Sequence, residues 1–163
     1  MSDVTFTVNK ASVYTEVAKT TSYSGFKAAA DGSLYEQIFT TDEDRLLLER
    51  FWNEAANAAT ELFKPFLSSV SSAAQSHGVN LAANYTAKLS LSPSYDTTLN
   101  DSVQSSLFSY FVDFIVSRWY KFANKGEAED FGAQALAMLE DVKSKIYHKK
   151  KPARTTPASQ NNN

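Results

Sequence analysis

Cysteine is absent from the 163-residue sequence, and glycine and histidine are scarce, with five and two residues. The lack of cysteine excludes disulfide bonds, thiolate metal sites and a cysteine nucleophile. Five scattered glycines build neither a phosphate-binding loop nor a nucleophile elbow. The two histidines, His77 and His148, lie in a glycine-containing loop and in a basic tail, where solvated side chains are expected. We therefore predict no catalytic residue, no metal site, no cofactor and no enzymatic activity.

Carboxylates are concentrated in two short segments, TTDEDR (residues 40–45) and GEAED (residues 126–130). A metal site would need further ligands from elsewhere in the chain, and no histidine or cysteine is placed to help. Each segment lies instead at a predicted helix start, where acidic side chains cap the helix and interact with its dipole. Helix capping is therefore the preferred interpretation.

Long uncharged hydrophobic runs are also missing. The most apolar segment is interrupted by Asp113, Arg118 and Lys121, and a charge near the middle of a bilayer costs roughly 2.5–3.5 kcal/mol. The first ten residues, MSDVTFTVNK, do not have the pattern of a secretory signal. These observations predict no membrane span and no membrane partner.

Aromatic residues are abundant in one helix-forming segment. Seven of the fifteen residues from Phe108 to Phe122 are aromatic, and the apolar side chains extend almost all the way round the predicted helix. Such a surface must be covered by other parts of the chain or by further copies of it. Two interpretations stay open: a helix buried wholly in its own core, and a helix shared between the core and a subunit interface.

The first half of the chain begins with VTFTV (Val4–Val8), whose alternation predicts a short strand or an extended arm. A short helix over about residues 10–21 follows, and then a loop at residues 20–33. A long helix begins near Thr40, which forms a possible capping box with Glu43. Pro65 should end this helix near Lys64, because proline has no N–H to donate.

The second half begins with SSVSSAAQSHGVN (residues 68–80), which predicts a frayed helix end or a loop. NYTAKLSLS (residues 84–92) alternates as a half-buried strand, which could pair with VTFTV or with a neighbouring subunit. The aromatic helix should begin at Thr97, Thr98 or Asn100. Asn124-Lys125-Gly126 predicts a helix stop, after which a last helix (residues 127–147) completes an antiparallel hairpin.

These elements predict a mainly α fold. It is a bundle of three substantial helices with a short N-terminal helix, a short N-terminal strand or arm, a strand-like insertion and a flexible C-terminal tail. The predicted organisation is an arm at residues 1–9, a single helical domain at 10–148 with the insertion at 84–92, and a basic and polar tail at 149–163.

Charge is unevenly distributed along the chain. Residues 143–154 carry six basic and no acidic side chains, which leaves ten basic against eighteen acidic residues elsewhere. The tail could simply improve solubility, or its lysines and Arg154 could contact phosphates or an acidic partner. It lacks interleaved aromatic residues, so any contact with DNA should be independent of base sequence.

The order of these parts resembles the small head–tail connector proteins, also called adaptor or head-completion proteins, of tailed bacteriophages. The resemblance is carried by an aromatic helix ending in SRWYKFANKGEAEDF (residues 117–131), a final amphipathic helix and a basic tail. Trp119, Tyr120, Asn124 and Glu127 match the Trp-Tyr patch and polar turn of that family. The sequence is also similar to small uncharacterised virion proteins of phages that infect gut bacteria. The VTFTV segment and the NYTAKLSLS insertion depart from the usual family pattern.

The resemblance implies a structural virion protein at the neck, made in the host cytoplasm. Twelve copies would form a ring below the portal protein, contact tail or other neck proteins and extend a channel through which DNA passes without sequence-specific binding. The residues expected to contact other copies or partners are Val4, Phe6, Val8, Phe111, Phe114, Trp119, Tyr120, Lys149, Lys150, Lys151 and Arg154. Alternatives are a tail-completion or tail-terminator protein, for which hexamers are one expected assembly, and a DNA-binding or regulatory protein that acts through the basic tail.

Overall fold

The computed structural model describes residues 1–28, 40–71, 75–76, 79–80 and 82–154. Within these ranges the chain has a mainly α fold with four helices and a small three-stranded sheet, which confirms the predicted fold class. The elements in chain order are β1 (Ser2–Asn9), α1 (Lys10–Ala28), α2 (Arg45–Phe63), β2 (Leu67–Ser71), β3 (Gln75–Ser76), β4 (Val79–Asn80), β5 (Asn84–Leu91), α3 (Asn100–Ala123) and α4 (Lys125–Tyr147). No helix in the described ranges is long and apolar enough to cross a membrane.

The sheet is antiparallel, with strand order β1-β5-β2. Val4 of β1 lies opposite Leu89 of β5, and Phe6 lies opposite Ala87. Alternate side chains of both strands enter the core, as a period of two requires for a sheet with one buried face. Of the two pairings predicted for NYTAKLSLS, the chain adopts the one within itself.

The N-terminal segment is therefore part of the core, which corrects its assignment as an arm available to neighbouring proteins. Val4, Phe6 and Val8 are all buried, because one face of β1 packs against the helices. The Phe6 ring stacks on Phe63 near the end of α2, with 6.3 Å between the ring centroids. Residues 1–9 thus belong to the same folded unit as the helices.

The first two helices differ from the prediction at the end of α1 and at the start of α2. The first helix continues to Ala28, beyond the predicted end near residue 21. Before α2, the Asp44 carboxylate accepts hydrogen bonds from the Thr41 N–H and hydroxyl. The cap thus involves Thr41 and Asp44, one residue later than the predicted pair of Thr40 and Glu43. A 3-10 turn with Pro65 at its second position follows Phe63, so the predicted end of the helix is confirmed.

The region between α2 and β5 contains strands, which corrects the prediction of a frayed helix end or a loop. Edge strand β2 pairs with β5 through a register irregularity between Leu67 and Ser69. Strands β3 and β4 pair only with each other. The serine-rich segment gave no clear periodicity, because its only large apolar residues before Val79 are Leu67 and Val70. His77 and Gly78 lie outside the described residues.

The two C-terminal helices form the predicted antiparallel hairpin. The Asn124 N–H donates to the Tyr120 carbonyl, and α4 begins at the next residue. Near the turn, Ser117 of α3 contacts Ala128 of α4, and at the far end Ser106 contacts Asp141. In α4, Ala135, Val142 and Ile146 are buried along the predicted apolar stripe.

Candidate interaction surface

Most of the aromatic helix α3 is covered by the rest of its own chain. Phe111 and Tyr120 are fully buried and Trp119 is nearly so. The Phe111 ring lies 4.7 Å from the Trp52 ring and 5.4 Å from the Tyr85 ring, measured between centroids. Three of the four α3 residues predicted at an interface are therefore buried within the folded chain.

The apolar cover of α3 is nevertheless incomplete. Phe114 is only partly buried, and Phe122 is 72% exposed although its ring stacks on Phe51 at 6.4 Å. On α4, Leu136 is 66% exposed. These side chains lie on the outside of the molecule, where α3 runs between α2 and α4.

A groove of about 680 Å³ follows this outer side of the α3–α4 hairpin. We call it the outer groove; it is lined by Ser117, Lys121, Lys125, Ala128, Glu129, Gly132, Ala133 and Leu136. A smaller hollow of about 230 Å³ shares Ser117, Lys121, Gly132 and Leu136 with it and extends to Ala58 of α2 and Phe114. Small and apolar side chains thus form the floor, and the charged side chains form the rim.

The floor of the groove depends on the close approach of α3 and α4. Gly132 faces Ser117, and a Cβ atom on Gly132 would lie 3.1 Å from the Ser117 Oγ. That hydroxyl donates to the Ala128 carbonyl at 3.1 Å. A hydrogen bond and a missing side chain together bring the two helices into contact at this point.

Arg118 covers the part of Phe114 that the core leaves open. Its guanidinium carbon lies 5.0 Å from the centre of the Phe114 ring, within the range of a cation–π contact. Its Nε is 3.2 Å from the Glu54 carboxylate of α2, which also pairs with Arg50 at 3.4 Å. This partly exposed network orients Arg118 across the α2–α3 boundary and contributes little to stability.

The basic C-terminal segment is exposed but begins attached to the body. Lys149 forms a β-bridge with Tyr95, and the Lys150 N–H donates to the Ser94 carbonyl at 2.8 Å. The Lys149, Lys150, Lys151 and Arg154 side chains are all in contact with solvent. The pKa of the Asp96 carboxyl is lowered, mainly by hydrogen bonds from Thr98 and less by the Lys150 charge. Residues 155–163 of the predicted tail lie outside the described residues.

The remaining polar clusters are structural in character. The ammonium of Lys10 lies 2.7 Å from the Glu49 carboxylate, and both side chains are buried. Burial raises the pKa of the Tyr14 phenol, and the Glu49 charge raises it further. Burial also raises the pKa of Tyr85 to about 12, opposed by a hydrogen bond with Thr60. Within the described ranges, no group of three or more histidine or acidic side chains could hold a metal ion.

Sequence reasoning missed two exposed leucines, Leu136 in the outer groove and Leu46 on α2, although the sequence contained a signal for each. Leu136 lies off the apolar stripe that runs along α4 through Ala135 and Val142. Leu46 is the first of three consecutive leucines, and a helix cannot turn three consecutive side chains toward one core. Both are exposed in the structure.

Comparisons with known proteins gave no matches. No family model, no curated protein and no solved structure matches this chain.

Proposed function

We propose that this chain is a structural subunit of the neck of a tailed bacteriophage, where copies of it form a ring between the portal protein and the tail. The proposal combines the resemblance of residues 117–131 and the flanking segments to connector proteins with the surface of the folded chain. The observation that carries it is the outer groove, in which the exposed Leu136 side chain lies beside Lys121 and Lys125.

Exposed aromatic and leucine side chains around one groove favour assembly over catalysis. Aromatic side chains are enriched where proteins meet, and large apolar surfaces rimmed by polar groups mark interaction sites. The groove is lined by two lysines, one glutamate and small residues, a set that offers shape and charge to a partner. Of the four interface residues expected on α3, the proposal keeps Phe114, and Phe122 of α3 and Leu136 of α4 take the place of the three buried ones.

The basic segment supplies a second contact surface in this proposal. Lys149, Lys150, Lys151 and Arg154 project from a chain whose remaining residues are acidic overall. A basic segment of this kind fits an acidic surface on a portal or tail protein, and its repetition around a ring would multiply weak individual contacts.

The test measures self-association and binding to an isolated portal ring by sedimentation velocity and electron microscopy. We expect the full chain to form a ring or to join the portal. A variant with Lys149, Lys150 and Lys151 changed to glutamine should keep its fold, because Lys150 still donates its backbone N–H to Ser94, and should bind the portal more weakly. A chain that stays monomeric and does not bind the portal ring would contradict the proposal. Six copies in place of twelve would favour a tail-completion or tail-terminator protein.

The exposed basic segment also favours a second function, non-specific DNA binding. Lysines that neutralise phosphates release counterions, so such binding weakens as salt rises. Retention of duplex DNA on a filter at low salt, lost in the triple glutamine variant, would support this function. No retention of either protein would exclude it, and equal retention of both would show that the basic segment is not the DNA-binding surface.

A further inference from the structure

We infer that neighbouring copies meet head to tail, with the start of α2 in one copy seated in the outer groove of the next. Leu46 would enter the groove near Leu136, and Glu43 would face Lys121 and Lys125. This contact rests on the proposed function, since it supplies the interface that a ring needs.

The start of α2 presents an exposed apolar side chain beside an acidic one. Leu46 is 74% exposed in the first turn of α2. Glu43, three residues earlier, is also exposed. We call Glu43 and Leu46 the α2 knob. A leucine that contributes nothing to its own core, next to a carboxylate, has the composition of a small docking element.

The outer groove offers the complementary features. Its Gly132 and Ala133 leave room above the helix backbone, and Leu136 provides an apolar wall. Lys121 and Lys125 lie on its rim. Among the described residues, neither lysine makes an ion pair within 4 Å, and neither does Glu43. Their charges are therefore available to a second copy.

Charge also decides between the possible pairings of two copies. Lys121, Lys125 and Glu129 together give each outer groove a net charge of +1. Two grooves placed face to face would therefore oppose two positive surfaces, and two knobs would bring two glutamates together. Like charges opposed across an interface are unfavourable, whereas a knob in a groove pairs opposite charges. The charges thus favour a contact between two different surfaces, which produces a ring if the rotation between copies closes.

The two surfaces are separate on one chain, so each copy can bind two neighbours. On α2, Glu54 points to Arg118 of α3. Leu46 precedes Glu54 by eight residues and therefore lies about 80° from it around the helix axis. The knob thus points to a different side of α2 from the α2–α3 boundary, while the groove lies along α3 and α4. One copy can hold the preceding neighbour and the following neighbour at the same time.

A mixing experiment with full-length chains tests this contact. The knob variant is Leu46→Asp, and the groove variant carries Lys121→Glu with Lys125→Glu. All three positions are exposed, so circular dichroism should match the unmodified protein. We expect each variant alone to sediment as a monomer. Mixed together, they should form one-to-one pairs and nothing larger. The intact knob of the groove variant can bind the intact groove of the knob variant, and the other two surfaces of the pair are both altered.

Charge reversal provides the second arm. Glu43→Lys should weaken self-association by about tenfold, and adding Lys121→Glu with Lys125→Glu to the same chain should recover most of that loss. The matched control is Tyr23→Asp, which changes another exposed side chain, on α1, and should leave assembly unchanged. If the unmodified chain assembles and the knob and groove variants assemble equally well, this contact is overturned but the ring is not. An unmodified chain that never associates overturns both.

Discussion

At the scale of single residues, the most consequential group is the buried ion pair between Lys10 and Glu49. Lys10 is the first residue of α1, and its backbone N–H donates to the Ala83 carbonyl at 3.0 Å. Its ammonium also lies 5.9 Å from the centre of the Trp52 ring. The pair connects the start of α1, directly after β1, to the second turn of α2. The position of α1 therefore depends on two charges held away from water.

Breaking this pair should cost more stability than removing it. Glu49→Leu leaves the buried Lys10 charge without its carboxylate and should lower the free energy of unfolding by about 3–5 kcal/mol. Lys10→Met combined with Glu49→Leu removes both charges and should cost less than Glu49→Leu alone. Urea unfolding of the two variants measures both changes. A double variant that is less stable than the single one would contradict this account.

The Asp113 carboxyl makes the stability of the folded chain depend on pH. Partial burial raises the pKa of its carboxyl to about 6, compared with about 3.9 in an unfolded chain. Between these values the folded chain binds more protons than the unfolded chain, so Asp113 makes stability fall as the pH rises from about 4 to about 6.

Asp113→Asn should remove that pH dependence. At pH 7 to 8 we expect the variant to be more stable by about 1 kcal/mol, a value reduced for partial exposure of the carboxyl. Near pH 4 the two proteins should be nearly equal, because the native carboxyl is then protonated. Thermal unfolding across this pH range measures the difference. A constant difference at every pH would show that solvation of the carboxylate is not the cause.

At the scale of elements, the contact between α3 and α4 determines the shape of the outer groove. At Gly132, a change to alanine would have two opposite effects of similar size on the free energy of unfolding. Alanine at this position would favour the helix by about 1 kcal/mol relative to glycine. Its Cβ would also press on the Ser117 hydroxyl and weaken the hydrogen bond to Ala128, which is worth about 1 kcal/mol.

A double-mutant cycle separates the two effects. Gly132→Ala alone should change the free energy of unfolding by less than about 0.5 kcal/mol, because the gain and the loss offset each other. In a chain that already carries Ser117→Ala, the same change should stabilise by about 1 kcal/mol, since the obstructing hydroxyl is gone. Chemical unfolding of the four proteins provides the comparison. Equal effects in both backgrounds would mean that Ser117 and Gly132 do not interact.

The sequence predicted those elements whose signals are local. Alternation in β1 and β5, Pro65 after α2 and Asn124 after α3 each act over a few residues, and the structure has the corresponding element or end. Edge strand β2 escaped prediction because its pairing with β5 is a contact between distant parts of the chain. The same limit applies to the candidate surface, since the core partners of Phe111 and Tyr120 come from other elements and decide which α3 side chains stay exposed.

At the scale of the whole molecule, the folded body and the basic tail overlap by a few residues. The Lys149 bridge to Tyr95 and the Lys150 bond to Ser94 extend the body beyond the end of α4. Lys149 also lines a hollow of about 250 Å³, together with Phe66, Leu91, Ser92, Tyr95, Ile146, Tyr147 and His148.

Two truncations should locate this boundary. A chain that ends at Lys151 keeps both contacts and should unfold like the full chain. A chain that ends at Tyr147 loses them and should be less stable by about 1–2 kcal/mol, from one hydrogen bond and the exposure of Tyr95. Thermal unfolding compares the two chains with the full-length protein. Equal stability of both truncated chains would place the boundary at the end of α4.

The carboxamide of Gln104 on α3 completes the outer edge of β1. Its oxygen accepts from the Thr7 N–H at 3.0 Å, and its nitrogen donates to the Thr7 carbonyl. Antiparallel alternation places the Asp3 and Thr5 backbone groups on that same edge. The Gln104 side chain therefore occupies the backbone groups that a further strand would need at Thr7. A strand from another molecule could pair with β1 only along the short stretch before Thr7. Along β1, a strand from another copy is therefore excluded at Thr7, where both backbone groups already have a partner.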